Sequence, residues 1–326
     1  MPVYDVLSYA PDAANSFSNH SIYLFARDAR DRLTPNETQR TTLIVAACYI
    51  VAIAILWHIP YLTLILYPFK LLTVGFHEMS HALAGVLTCA HIHSIEIDPD
   101  EGGATHMSGG ISWITLPAGY LGSSFIGAAL IVCGFDTNAS KVACLVLAGF
   151  FLFFLWWARR EVLTWILIFL MAGLIVLFWF VAGGVALRYF ILFIGVMSCM
   201  YVLWDVVDDT IARKVNGSDA SSFAEICGCC PSQGLLSCSL RAVPYADFYN
   251  RLVWGVIWLL VAAGFFAAAI IIGIVAFKQS AAQQASDSQH FLPVPGSHSA
   301  TLGLDWSPLL MVFSTVCTTL VMLNSL

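Results

Sequence analysis

The residues that invite chemistry are His77, Glu78 and His81, in the run His77-Glu78-Met79-Ser80-His81. Two histidines four apart stand on one face of a helix, about one turn from each other. Imidazoles so placed can hold one tetrahedral metal ion, and the neighbouring glutamate can take a proton from a water bound to it. Zinc is the ion this pattern predicts. A catalytic zinc takes three protein ligands and keeps a fourth position open, so the chain must supply one more donor.

The setting sharpens the expectation. Leu71 to Val74 precede the motif and Ala82 to Leu87 follow it, so a glutamate and two histidines lie inside an apolar helix. Ionisable groups at such a depth are expensive and mark function by default. The plainer alternative is a polar set satisfied by packing within a helical bundle.

A third ligand has to reach the same depth. Asp205, in Tyr201-Val-Leu-Trp-Asp205-Val-Val-Asp208-Asp209, is the expected donor. His81 lies roughly 10 Å from the end of its apolar run, and Asp205 roughly 12 Å from the end of its own helix if that helix continues to Arg213 and Lys214, at 1.5 Å per residue. Asp208 is the alternative. Asp209 reads as part of a solvated helix end. The other histidines have ordinary explanations: His91, His93 and His106 as surface residues of a polar segment, His58 as an interfacial residue beside Pro60. Lys70 shares the face of His77 and reads as a snorkelling cation.

The elements that must carry these residues follow from composition. Of 326 residues, 59% are hydrophobic and 10% charged, against about a quarter charged in soluble domains. Several apolar runs reach the ~20 residues a membrane helix needs. The fold class is therefore an all-α polytopic membrane protein with about seven transmembrane helices. The runs are 41–59, 61–88, 111–135, 139–157, 162–181, 185–207 and 252–277. Between the second and third, His91-Ile-His93-Ser-Ile95-Glu-Ile97 alternates with period two and Asp98-Pro99 and Gly102-Gly103 follow, which predicts a short β-hairpin after the motif helix. Residues 1–40 read as a cytosolic tail without signal-peptide features, 41–277 as the membrane domain, 208–250 as a soluble loop within it, 278–308 as a polar linker and 309–326 as an apolar tail.

Lysine and arginine suggest the orientation. With a cytosolic N-terminus, Arg27, Arg30, Arg32, Arg40, Arg159, Arg160, Arg213, Lys214, Arg241 and Arg251 fall inside, and Lys141, Arg188 and Lys278 outside. The net charge of −6 carries no basic cluster, which argues against a nucleic-acid partner. Six of the ten cysteines lie in or beside apolar runs; Cys227, Cys229, Cys230 and Cys238 cluster in one polar loop and read as reduced cytosolic thiols, with S-acylation the main alternative.

These residues together resemble the site-2 protease class of intramembrane zinc metallopeptidases, and within it the compact fungal and bacterial branch without extra soluble domains. The resemblance rests on the His-Glu-x-x-His helix, the hairpin after it, Pro117-Ala-Gly119-Tyr-Leu-Gly122 in the next span, and a late aspartate; it covers about Leu71 to Trp258. It implies a zinc metalloendopeptidase that cleaves membrane-embedded or membrane-adjacent substrates, with water reaching the site from the cytosol; in a eukaryotic cell the expected location is the endoplasmic reticulum, Golgi or another internal membrane. His77, His81 and Asp205 would be the zinc ligands and Glu78 the catalytic base. Gly119 and Gly122 would let the third span approach the motif helix. The family's usual Asp-Gly setting of the third ligand is absent, since Val206 follows Asp205. The competing readings are a di-iron membrane hydroxylase or desaturase, which needs further histidine boxes, and a non-catalytic scaffold or transporter.

Overall fold

A computed structural model describes residues 27, 30–59, 61–98, 102–158, 161–211, 219–227 and 244–291. The apolar runs become helices because a backbone in lipid must satisfy its own hydrogen bonds. In order they are α1 (Glu37–His58), α2 (Thr63–Leu87), α3 (Ser112–Cys133), α4 (Thr137–Ala158), α5 (Val162–Phe180) and α6 (Val185–Ile211), with a 3-10 turn at Val181–Gly184 before α6. Then come the short α7 (Asp219–Cys227), the long α8 (Pro244–Ala276) and the short α9 (Ala281–His290). Six of these are long and apolar enough to cross a membrane, and the chain is an integral, multi-pass membrane protein.

The seventh long helix, α2, is absent from that set because it carries the motif. Every residue of it from Lys70 to Ala82 is buried. Its polar side chains therefore face protein neighbours and not lipid, the placement in which an ionisable residue can survive in a bilayer. Lys70 is not at an interface: it is buried, its ammonium 3.9 Å from the centre of the Trp57 ring.

The predicted hairpin forms between α2 and α3. Strands β1 (His91–Ile97) and β2 (Gly103–Ser108) pair antiparallel, Ile95 opposite Thr105 and Ile97 opposite Gly103. A bulge between Ile92 and Ser94 interrupts the register. The extra residue shifts the alternation by one, which is how Ile92, Ile95 and Ile97 all come to be buried. Those isoleucines join the core of α2, α4, α5 and α6. The hairpin thus lies on the C-terminal half of α2.

Helices α3 and α6 run antiparallel through the centre. The Ser198 hydroxyl donates to the Ser123 carbonyl at 3.0 Å, and Arg188 Nε to the Gly134 carbonyl at 3.0 Å. Helix α1 runs with α6: Thr42 meets Arg188, Tyr49 meets Phe193, and Trp57 meets Trp204. Helix α2 also runs with α6, since Phe69 meets Phe193 while His81 reaches Thr115 at the start of α3. The alternation of sides assumed in reading the sequence therefore fails between α1 and α2. Its consequence for orientation is direct. The Asn36 amide donates to the Lys278 carbonyl at 2.9 Å, and Lys278 Nζ to the Thr34 carbonyl at 2.9 Å. Arg40 and Lys278, assigned to opposite sides from the sequence, stand at one end of the bundle.

Residues 281–290, read from their polarity as part of a linker, form α9 against that same end. Ser280 and Gln283 make a capping box. Lys141 Nζ donates to the carbonyls of Ser288 and Phe291, each at 2.8 Å, and Arg188 Nη1 donates to Gln284 Oε1 at 2.9 Å. Two buried cations hold the helix down. The apolar tail 309–326 and the Cys229, Cys230 and Cys238 positions lie outside the described residues.

Candidate metal centre

The motif helix presents His77 and His81 side by side, with their rings 4.7 Å apart between centres. A third group meets them: Asp219, the first residue of α7. Asp219 Oδ2 lies 2.9 Å from His77 Nε2 and 2.9 Å from His81 Nε2, and the two Nε2 atoms are 3.0 Å apart. Donors held at 2.0–2.1 Å by a tetrahedral zinc would stand about 3.3 Å apart. The triangle is a few tenths of an ångström tighter and otherwise the right shape.

Hydrogen bonding argues for a cation at its centre. His81 Nδ1 lies 2.6 Å from the Thr115 carbonyl, so Nδ1 must carry the proton it donates there. In the neutral ring Nε2 then has only a lone pair, and that lone pair faces a carboxylate oxygen and a second imidazole nitrogen. The His81 lone pair and the carboxylate oxygen, 2.9 Å apart, need a positive charge between them, a proton on an imidazole or a metal ion. Fixing one ring nitrogen by a carbonyl so that the other can bind metal is the usual outer support of a ligating histidine. Burial alone would push the Asp219 carboxyl up, but positive charge on the side of His81 and His77 holds it below the ordinary carboxylate range. The carboxylate is anionic, as a ligand must be.

Close packing shapes the space around the rings. A Cβ on Gly119 would collide with Nε2 of both histidines, and one on Gly122 would come within 2.5 Å of the Ser80 side chain. Only a backbone without side chains lets α3 lie this near α2, as the spacing of the two glycines suggests. Tyr120 then packs edge-on against His77, 4.8 Å between centres. His77 Nδ1 is buried without a hydrogen-bond partner among the described residues. Exposure is lopsided: the Asp219 side chain is 22% accessible, the His77 and His81 side chains 11% and 8%. Among the described residues, the Asp219 side of the centre is the most accessible.

Glu78 is buried beneath the hairpin. The Thr105 hydroxyl of β2 lies 2.7 Å from Glu78 Oε2 and 2.9 Å from the Glu78 carbonyl. A Cβ on Gly103 would come within 2.7 Å of Glu78 Oε1. The hairpin thus holds the carboxylate in place by one hydroxyl and makes room for it by one glycine.

The sequence pointed to Asp205 as the third donor; in the group of three that the described residues form, Asp219 stands in that position. Asp205 is half-buried on α6 and its charge reaches His77, but its oxygens are not part of the three-atom group. The side chains of Asp208 and Asp209 lie outside the described residues. Asp219 was missed because it belongs to a polar stretch read as a loop. A signal was present: Ala220 and Phe223 are spaced to give the turn after Asp219 one apolar face, and both are buried. His91, His93 and His106 are exposed on the hairpin, His106 3.5 Å from Glu96. No second group of three metal-binding side chains assembles among the described residues.

A buried His-Glu-x-x-His helix meeting an aspartate inside an apolar bundle defines the class: an intramembrane metalloprotease. Comparison with known families agrees. The model of the family described as Peptidase M50B-like matches residues 46–269, and the chain belongs to that family, within the site-2 protease class. No curated protein and no solved structure matches the chain.

Proposed function

We propose that the chain is a zinc metalloendopeptidase that hydrolyses peptide bonds of membrane-embedded or membrane-adjacent substrates. His77, His81 and Asp219 hold the zinc, and Glu78 is the general base. The observation that carries the reading is the triangle of His77 Nε2, His81 Nε2 and Asp219 Oδ2, with His81 fixed as a lone-pair donor by Thr115. Bound there, zinc would supply a Lewis acid that polarises the scissile carbonyl and brings water to nucleophilic strength at neutral pH.

The remaining work falls to side chains. Glu78 takes the proton of the attacking water and returns it to the leaving amine. Thr105 orients the carboxylate for both transfers, since its hydroxyl fixes one oxygen and leaves Oε1 for the proton. Gly119 keeps the space above the two rings clear. The substrate segment enters on the Asp219 side, where the site is most accessible, and its backbone has to be extended or unwound there to expose a peptide bond.

The test is zinc content with cleavage of a membrane-anchored peptide by the purified protein. One zinc per chain is expected, lost in His77→Ala and in Asp219→Ala and kept in Asp205→Asn. Zinc retained by Asp219→Ala but lost from Asp205→Asn would return the ligand role to α6. Full cleavage by Glu78→Gln would remove Glu78 as the base, and a wild-type protein that cleaves no membrane-anchored peptide would leave the chain a scaffold.

A further inference from the structure

Asp219 stands at the start of a helix of nine residues. Helices this short are not stable alone in water, and tertiary packing must fix them. What fixes α7 is an aromatic box. Phe223, one turn after Asp219 and on the same face, is buried among three tryptophans: Trp113 at 5.2 Å between ring centres, Trp254 at 4.8 Å and Trp258 at 5.4 Å. All three contacts are edge-to-face, with interplanar angles of 78°, 82° and 62°, the geometry aromatic pairs favour. Trp113 belongs to α3 and the other two to α8, neither of which gives the centre a ligand. Trp258 continues to Tyr120 at 5.5 Å, and Tyr120 to His77 at 4.8 Å. One unbroken line of rings joins the anchor of the short helix to a histidine of the long one.

We propose that Phe223 is a positioning residue of the metal centre: seated between Trp113, Trp254 and Trp258, it sets the rotation and depth of α7 and so aims the Asp219 carboxylate at His77 and His81. The proposal rests on the reading of Asp219 as a ligand. Its physical content is that part of the metal affinity is stored as preorganisation. A ligand already in place loses little freedom on binding; one on an undocked helix must be ordered first. Outer-shell changes of this kind cost about 10- to 100-fold in metal affinity.

The experiment is a thermodynamic cycle on the full-length protein in detergent, reading zinc affinity by competition with a chelator. Phe223→Ala should weaken zinc binding about 10- to 100-fold, and Phe223→Leu should recover most of the loss. On an Asp219→Ala background, Phe223→Ala should change the affinity less than about twofold, because no ligand is left to position. The melting temperature of the metal-free protein is followed in parallel. If Phe223→Ala does not fold, Trp113→Ala, which removes the exposed wall of the box, carries the same cycle with a smaller effect. Unchanged affinity in Phe223→Ala, or an equal loss with and without Asp219, overturns the proposal. A wild-type protein that binds no zinc, or an Asp219→Ala protein that binds it normally, overturns the ligand assignment instead.

Discussion

Two clusters of buried polar side chains sit at opposite ends of one apolar bundle, and they are satisfied in opposite ways. Around Lys141 and Arg188, donors meet acceptors. Lys141 meets two carbonyls, and Arg188 meets the Gly134 carbonyl, Gln284 and the Thr42 hydroxyl. The Gln284 amide in turn donates to the Phe135 carbonyl. Around His77 and His81, by contrast, the His81 lone pair faces a carboxylate oxygen and His77 Nδ1 has no partner among the described residues. A saturated cluster needs nothing further and holds helices together. A frustrated one has been kept in spite of its cost, and the missing positive charge says what for. Burial of charge is common to both ends; only the balance of donors and acceptors separates architecture from chemistry.

Substitutions can break or sharpen this contrast, and Glu78→Gln should have the largest effect. Cleavage should fall about 10³-fold, within the 10²–10⁴ range of general-base losses, while zinc content and melting temperature stay at wild-type values. Gly119→Ala comes next. Its new methyl group intrudes on Nε2 of both histidines, so zinc affinity should drop about 100-fold with little change in the stability of the metal-free protein, measured by chelator competition and thermal melting. At the other end the pattern should invert. Arg188→Met leaves acceptors buried without a donor and should cost about 3 kcal/mol of stability, yet cleavage per folded molecule should hold. Lys141→Met should cost about 2 kcal/mol for the same reason, and α9 should become more accessible to protease. The smallest effect belongs to Asp205→Asn, with zinc affinity changed less than about threefold: its charge reaches His77, but it supplies no atom to the triangle. A large loss of activity without destabilisation in Arg188→Met would dissolve the contrast.

Much of the bundle was legible because lipid allows so few structures. Apolar runs had to be helices, and the His-Glu-x-x-His spacing had to put both rings on one face. The hairpin was legible in its alternation and turn residues. Its bulge was not, since the register depends on which isoleucines α2 and α4 accept. Asp219 escaped for a different reason: matching ligands by depth presumes that every ligand rides on a spanning helix. A short helix docked by aromatic contacts reaches the same point from the side, and its docking partners lie far off in sequence. Side assignment failed for a third reason. The charge rule counts crossings, and nothing local in residues 58–63 announces that α1 and α2 run in the same direction. Helix α9 escaped because composition sees polar residues, while only the fold supplies the buried Lys141 and Arg188 that bind it.

The meeting of Thr34 and Asn36 with Lys278 has a topological consequence. The first helix begins where the last long helix ends, so the membrane domain is a nearly closed ring of chain with both ends at one place. Such a ring tolerates being cut elsewhere, because fold stability depends on which elements touch and not on where the chain starts. A linker from Lys278 back to Thr34 and new ends between His58 and Thr63 would leave the metal centre untouched. In that rearranged molecule the motif helix would come first and its parallel neighbour α1 last, and the order of synthesis would be separated from the order of packing.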